Sequence, residues 1–425
     1  MVKYLIAFSF RNRWLVLLFS LGLFLWGAYS VQQNPIDAIP DVSENQVIVF
    51  TEWMGRSPQV IEDQVTYPLV SNLQSIPKIK NVRGSSMFGM SFVYVIFEDN
   101  VDIYWARTRV LEKLNYAQRL LPEGVTPSLG PDGTGVGHIF WYTLDAPGFD
   151  LGELRALQDW YIKYGLQTVK GVSEVASFGG FQKQYQINID PNKLNYYNIS
   201  LMDVLRSVKS NNNDVGGRKF EMSDMAYVVR GLGYIKSKEE IENIPVARDG
   251  TTPITLGMVS SSIQMGGDLR LGIFDQNGEG EVVGGIVVMR YGENADEVIK
   301  RVKTKLGDIE KGLPEGVKFK IAYDRSELIE AAISSVKKTI IEEMIVVSLI
   351  VLIFLFHWRS AFIIIIQIPV SIAASFILLQ AFGISSNIMS ITGIALAIGV
   401  VVDDGIMMVE NAYRHLAENQ NKKST

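Results

Sequence analysis

Toward its C-terminal end the chain reads GVVVDDGIMMVEN over residues 399–411, placing Asp403 and Asp404 side by side in a run otherwise fit for hydrocarbon. An aspartate at mid-bilayer costs about 2.5–3.5 kcal/mol, and two charged neighbours cost roughly twice that. A helix tolerates such groups where they face protein or water, or carry a proton. Adjacent helical residues point about 100° apart, so the pair cannot share a face. Asp403, Met407 and Glu410 do share one, through spacings of four and seven. Burial raises a carboxylate pKa, and crowding separates the titrations of two carboxylates. Such a pair can take a proton from one side and lose it on the other when its surroundings change, which is the chemistry of a proton-driven transporter. A solvated helix end and a carboxylate ring of a cation channel are the other readings. The first leaves the apolar run 406–409 unexplained and makes 389–402 too short to span.

Sulfur is the second chemical resource. The chain has 14 Met and no Cys. Thioethers suit Cu(I) and Ag(I), whereas zinc prefers His, Cys or carboxylate. Met87 with Met90, Met222 with Met225, and Met407 with Met408 are close pairs. Each competes with the ordinary use of Met as a filler of irregular apolar space. His138, His357 and His415 are far apart and suggest no zinc site; His357, beside Trp358, is expected at a membrane interface. GPDGTGVG (130–137) is glycine-rich but lacks the Lys-Ser/Thr of a phosphate loop, so it is expected to be a turn.

Four apolar stretches, 14–31, 339–358, 361–382 and 389–409, are each long enough to cross roughly 30 Å of hydrocarbon. A cleaved signal peptide is the alternative for the first, with Ala28-Tyr29-Ser30 as the cleavage site, but its apolar core exceeds the usual ~7–15 residues. None of the four contains Lys or Arg, so a cationic partner for the carboxylates must come from another chain or from further sequence. Lys3, Arg11 and Arg13 precede the first stretch, which places residues 1–13 in the cytoplasm. Three more crossings return the basic HWRS turn (357–360) and the tail 410–425 to that side. The segment 32–338 then lies outside, in the periplasm of a double-membraned bacterium.

That segment reads as repeated β-α-β units. QVIVFTEWMG (46–55) and SFVYVIFE (91–98) have strand character. Ser57 and Pro58 open a helix. The helix 102–122 is amphipathic, with Leu111, Leu114, Ala117 and Leu121 expected on one face. The pentapeptide LPEGV follows a helix at 121–125 and again at 313–317, a sign of duplication. HIFWYTLD (138–145), 152–169 and KQYQINID (183–190) are expected to form another strand–helix–strand unit, and 191–274 a more polar subdomain. Hydrophobic residues make up 48% and charged residues 20%, with mean hydropathy +0.15, which leans toward a membrane protein with a large aqueous part. A net charge of −5 argues against nucleic-acid binding.

NPIDAIPDVSENQVIV after the first apolar stretch, QVTYPL (64–69), VRGSSMFGMSFVYVIFED (82–99), YWARTRVLEKLN (104–115), LGPDGTGVGHI (129–139), LRALQDWYIKY (154–164) and GIALAIGVVVDDGIMMVENAYRHL (393–416) resemble the heavy-metal subclass of resistance–nodulation–division (RND) efflux pumps, its copper/silver exporters above all. The resemblance runs in order along essentially the whole chain. It implies the N-terminal half of an RND permease: a multi-span α-helical membrane protein with an α+β periplasmic domain of ferredoxin-like units. The porter subdomains would be 32–190 and 275–338, with a docking-like subdomain at 191–274. It implies a secondary active transporter in the bacterial inner membrane, not an enzyme. That transporter would exchange Cu(I) or Ag(I) for protons, with no resident cofactor and the proton motive force as the energy source. Homotrimers, a periplasmic adaptor, an outer-membrane channel and the remaining half of the permease are its implied partners.

By the same resemblance Asp403 matches the proton-relay aspartate, Asp404 a second aspartate of the multidrug type, and Glu410 the glutamate of V-E-N. Met389 and Met408 resemble positions with Met along the ion path. Ala397 stands where the zinc/cobalt/cadmium type carries an acid, which favours a monovalent metal. Leu269 stands where such pumps can have Met. The chain is expected to be a fragment, a truncated product or half of a split pump. Multidrug export and a non-transporting membrane-anchored interaction protein are the alternatives.

Overall fold

A computed structural model describes residues 2–222, 225–270, 272–355 and 358–423. The chain divides into two compact units, one made of Met1–Asp145, Ile162–Ser177 and Gly284–Thr425, the other of Ala146–Tyr161 and Phe178–Val283.

The first unit opens with helices α1 (Val2–Arg11) and α2 (Arg13–Gln33), followed by β1 (Gln46–Glu52), α3 (Pro58–Ile61), α4 (Tyr67–Leu73), β2 (Ile79–Met87), β3 (Met90–Phe97), α5 (Ile103–Ala117) and β4 (Pro127–Leu129). A π-helical turn, Glu62–Thr66, joins α3 to α4. Ser57 caps α3 by accepting from the Val60 amide, with Pro58 in the first turn. The strands form an antiparallel sheet in the order β2-β3-β1-β4. Along β1 the inward residues Val47 and Val49 alternate with partly exposed ones. They meet Val93, Val95 and Phe97 of β3, Ile61, Leu69 and Leu73 of the first helical segment, and Ala106, Val110 and Leu114 of α5 in one core. Strand period two and helix period near four thus converge on the same side. The buried face of α5 is rotated from the expected one: Ala106, Val110, Leu114 and Ala117 pack inward and Leu111 is exposed. The small Ala106 and Ala117 let the helix lie close to the sheet, and that requirement outranks the side-chain size of Leu111.

A second four-stranded sheet repeats the plan. Its strands are β5 (His138–Asp145), β6 (Val172–Phe178), β13 (Val283–Met289) and β14 (Lys318–Asp324), in the order β14-β5-β13-β6. Both sheets follow the βαββαβ permutation of a ferredoxin-like fold: fourth strand, first, third, second. Helices α6 (Leu151–Leu157) and α7 (Lys163–Gln167) stand between β5 and β6, and α12 (Ala295–Glu310) between β13 and β14. The repeated LPEGV occupies equivalent places, before β4 and before β14. In both copies glycine has positive φ (82° at Gly124, 94° at Gly316), the valine amide donates to the proline carbonyl, and Val125 or Val317 is buried.

The second unit comprises 146–161, which carries α6 and follows β5, and the larger stretch between β6 and β13. It contains β7 (Lys183–Ile189), α8 (Pro191–Tyr196), α9 (Leu201–Asn211), β8 (Val215–Met222), β9 (Met225–Gly231), α10 (Lys238–Glu242), β10 (Pro245–Asp249), β11 (Thr252–Thr255), α11 (Leu256–Val259) and β12 (Ser260–Gly267). Leu194, Val204, Ile241, Ile244, Ile254, Leu256, Val259 and Ile263 form its core. The strand 183–189 does not complete a unit with 138–145, as the sequence led one to expect. It pairs with β12, Ile187 opposite Ile263, and the return strand is β6. Lys183, Gln184, Gln186 and Asn188 suit a two-stranded ribbon better than a sheet interior.

The first unit closes with α13 (Arg325–Leu355), α14 (Trp358–Ala381) and α15 (Ile388–Lys423). Among the described residues two helices are long and apolar enough to cross a membrane, Arg13–Gln33 and Ile388–Ala412; Ile365–Ala381 is a shorter apolar stretch. Phe356 and His357, near the end of the expected span 339–358, lie outside the described residues. Backbone helix α15 continues through Lys423. Helices α2 and α14 pack closely: a Cβ at Gly27 would stand 2.4 Å from that of Ala373.

Candidate functional site

The site is built on α15. Its N-terminus is fixed by a reciprocal cap: Ser390 N donates to Asn387 Oδ1 at 3.0 Å, and Asn387 N donates to Ser390 Oγ at 2.9 Å. Ile394, Ile398 and Val402 are buried at successive fours and pack with Ile368, Met344, Val347, Ile372 and Phe376 of α13 and α14. Gly405 continues this face, where a Cβ would meet Gln367 Oε1 at 2.8 Å.

Asp403, Asp404, Met407, Met408 and Glu410 are all exposed on the remaining circumference. This chain's own helices pack on one side of α15, because its apolar fours select that side. Residues 339–355 and 361–382, which include that packing surface, carry no Lys or Arg. The charge-bearing face therefore has no cation from these segments. Asp403 and Glu410 are brought onto one face, about 10 Å apart along the axis. Met389 and Met408 are not brought together: both are exposed, and nineteen residues of helix put about 28 Å between them. No group of three or more His, Asp or Glu suited to a metal ion occurs among the described residues.

A second cluster lies where the sequence reading assigned no role. Asn34 Nδ2 donates to Ser386 Oγ at 2.8 Å and to Ile384 O at 3.1 Å. Ser386 N donates to Pro35 O, and Asp37 N to Ser386 O. The segment after α2 is thereby stitched to the turn before α15. Asp37 Oδ1 forms an ion pair at 2.9 Å with Nη2 of Arg325, the first residue of α13, which is 3% exposed. Burial pushes the Asp37 carboxyl above its ordinary range, against the opposing pull of Arg325. Arg325 Nη1 donates to the carbonyl of Val136.

Val136 belongs to the GPDGTGVG loop, which joins β4 to β5 and so links the two sheets, as a turn should. Asp132 in this loop accepts from Tyr104 Oη at 3.1 Å and from Ser173 Oγ, with Arg290 Nε 3.7 Å away. Gly133 and Gly137 press against the Met289 carbonyl, where a Cβ would come within 2.8 and 2.9 Å. The sequence signal for this cluster was present in NPIDAIP and GPDGTGVG, but nothing there pairs either motif with Arg325.

The chain belongs to the AcrB/AcrD/AcrF family, which it matches over residues 5–425. It is 46% identical over 425 residues to the cation efflux system protein CusA of Escherichia coli strain K12, covering 99% of this chain and 40% of that protein. It is 37% identical to the cobalt-zinc-cadmium resistance protein CzcA of Cupriavidus metallidurans, again covering 99% of this chain and 40% of the relative. A crystal structure of a heavy metal efflux pump superposes with a TM-score of 0.86 at 33% identity, over 97% of this chain and 41% of that one. The resemblance to heavy-metal RND pumps thus holds over essentially the whole chain. The chain spans about 40% of the length of these curated relatives.

Proposed function

We propose that this chain is the N-terminal part of an inner-membrane permease that exports a soft monovalent metal cation, Cu(I) or Ag(I), in exchange for protons. The observation that carries the reading is the face of α15: Asp403, Met407 and Glu410 in line, with Asp404 and Met408 beside them, on the side its packed neighbours leave uncovered. In this reading α2, α13, α14 and α15 are four spans, residues 1–13 and 410–425 are cytoplasmic, and 32–338 is periplasmic. Asp403 is the primary proton carrier, and Asp404 and Glu410 shape its field. The uncovered face receives its cationic partner from the complementary half, and the two together make the complete permease.

The metal assignment is supported by Ala397, which withholds an acidic ligand that a divalent ion would favour, and by thioether sulfur. Met389 and Met408, if they contact cargo, do so as separate stations along a path. CzcA's name speaks for cobalt, zinc and cadmium in that protein, so a panel of metals is the discriminating assay. Assembly as a homotrimer with an adaptor and an outer-membrane channel completes the proposal. Supporting association, the described residues of the β8–β9 ribbon are all exposed, Phe220, Val228 and Val229 among them. Such a ribbon is marginal alone in water.

The test is growth protection by the complete permease. Asp403→Asn is expected to abolish copper and silver resistance while its level in the membrane stays normal. Full resistance in that variant refutes the relay.

A further inference from the structure

Resting on the relay reading of α15, we propose that the buried Arg325–Asp37 pair is the joint that carries movement of the relay helix to the loop connecting the two ferredoxin-like sheets. The contacts form one continuous series within the first unit. The turn before α15 is bonded through Ser386 to Pro35 and Asp37. Ile36 also pairs with Ser386 in an isolated parallel bridge, and Ile388 N donates to Ala38 O. Segment 34–38 therefore cannot move without the start of α15. Asp37 holds Arg325, and the other arm of that guanidinium holds Val136. Loop 130–137 cannot slide freely, because Gly133 and Gly137 abut the backbone of β13 and Asp132 is tied to Tyr104 and Ser173.

A role in folding alone accounts poorly for this pair. Burial disfavours the Asp37 charge more than Arg325 restores it. An apolar pair of similar volume at such a place is often neutral or stabilising. What an apolar pair cannot do is bridge three backbone segments, 34–38, 136 and the first turn of α13, in one fixed geometry. The planar fork of arginine does so by addressing a carboxylate and a carbonyl at once. Asp37 and Arg325 are thus positioning residues, and the proton chemistry stays with α15.

The experiment uses the complete permease in proteoliposomes and the double variant Asp37→Leu/Arg325→Met. It is expected to melt like the wild type and keep the wild-type KM for metal, while turnover of metal-driven proton flux falls about tenfold. Hydrogen exchange supplies a readout that a structural role would not move. Asp403→Asn is expected to change amide exchange across 130–137 several-fold when the pair is intact, and to leave it unchanged in the double variant. Should the double variant fail to fold, Arg325→Lys keeps the charge but not the fork, and is expected to lower turnover at unchanged melting temperature. Wild-type turnover in either variant, or an equal exchange response with and without the pair, overturns the joint. If the wild-type permease shows no metal-driven proton flux, the relay reading falls instead, and the exchange comparison still decides the joint.

Discussion

In the proposed function Asp403 is given the relay role because a pair of acids is set in an otherwise apolar run of α15. The acid pair stands out in the sequence because it breaks an otherwise uniform run of valine, isoleucine and methionine. Other residues act through fixed charge, and their pH dependence is testable. Burial pushes Asp132 up, but hydrogen bonds from Ser173 and Tyr104 and the Arg290 charge outweigh it and hold the carboxyl below the ordinary range. Asp324 behaves alike, with Lys303 and Ser326 outweighing burial. A lowered folded-state pKa means the native state binds the proton less well than the unfolded chain. The stability these groups add is complete above the ordinary aspartate pKa and is lost as pH falls through the lowered values. Melting temperature measured against pH is therefore expected to drop more steeply on the acid side for the wild type than for Asp132→Asn; equal slopes would contradict this. Arg325 and Asp37 escaped the sequence reading for a physical reason: an ion pair between distant positions leaves no periodic trace.

At the scale of elements, the duplicated LPEGV turn gives the sharpest expectation. Gly124 and Gly316 have φ of 82° and 94°, and a Cβ at either would meet nothing within 4 Å. The cost of Gly→Ala there is purely conformational, about 1–2 kcal/mol at each site. Gly135→Ala, equally open but without positive φ, is the control and is expected to change little. Denaturant unfolding of each variant measures the difference. The α2–α14 contact obeys a steric rule instead. Gly27→Val would drive a side chain into Ala373, and is expected to cost about 1–3 kcal/mol by overpacking, read as a lower melting temperature in detergent. The repeat pointed to duplicated β-α-β units, since identical turns follow equivalent helices, but not to the joining of β5 and β6 with β13 and β14 in one sheet. Strand 183–189 was misplaced because strand propensity says nothing about which edge is free, and β5 already has β14 and β13 as neighbours.

At the scale of the whole molecule, the proposed function calls on two exposed surfaces, the acidic face of α15 in the first unit and the β8–β9 ribbon in the second. Removal of 215–231 takes away no residue of the second unit's core. In the proposed complete permease, a variant lacking that stretch is expected to retain its melting temperature while losing the proposed trimer, as resolved by native mass spectrometry or light scattering. Persistence of the wild-type trimer fraction would assign the ribbon another role. Such surfaces are the part of a sequence that composition reads least well, because exposure and later coverage by a partner select the same residues.

The central claim, that the carboxylates of α15 exchange protons for metal, is tested most directly by proton flux in proteoliposomes of the complete permease when Cu(I) or Ag(I) is added. Metal-driven flux is predicted in the wild type and its loss in Asp403→Asn, with metal binding retained. Equal metal-driven flux in both would contradict the account.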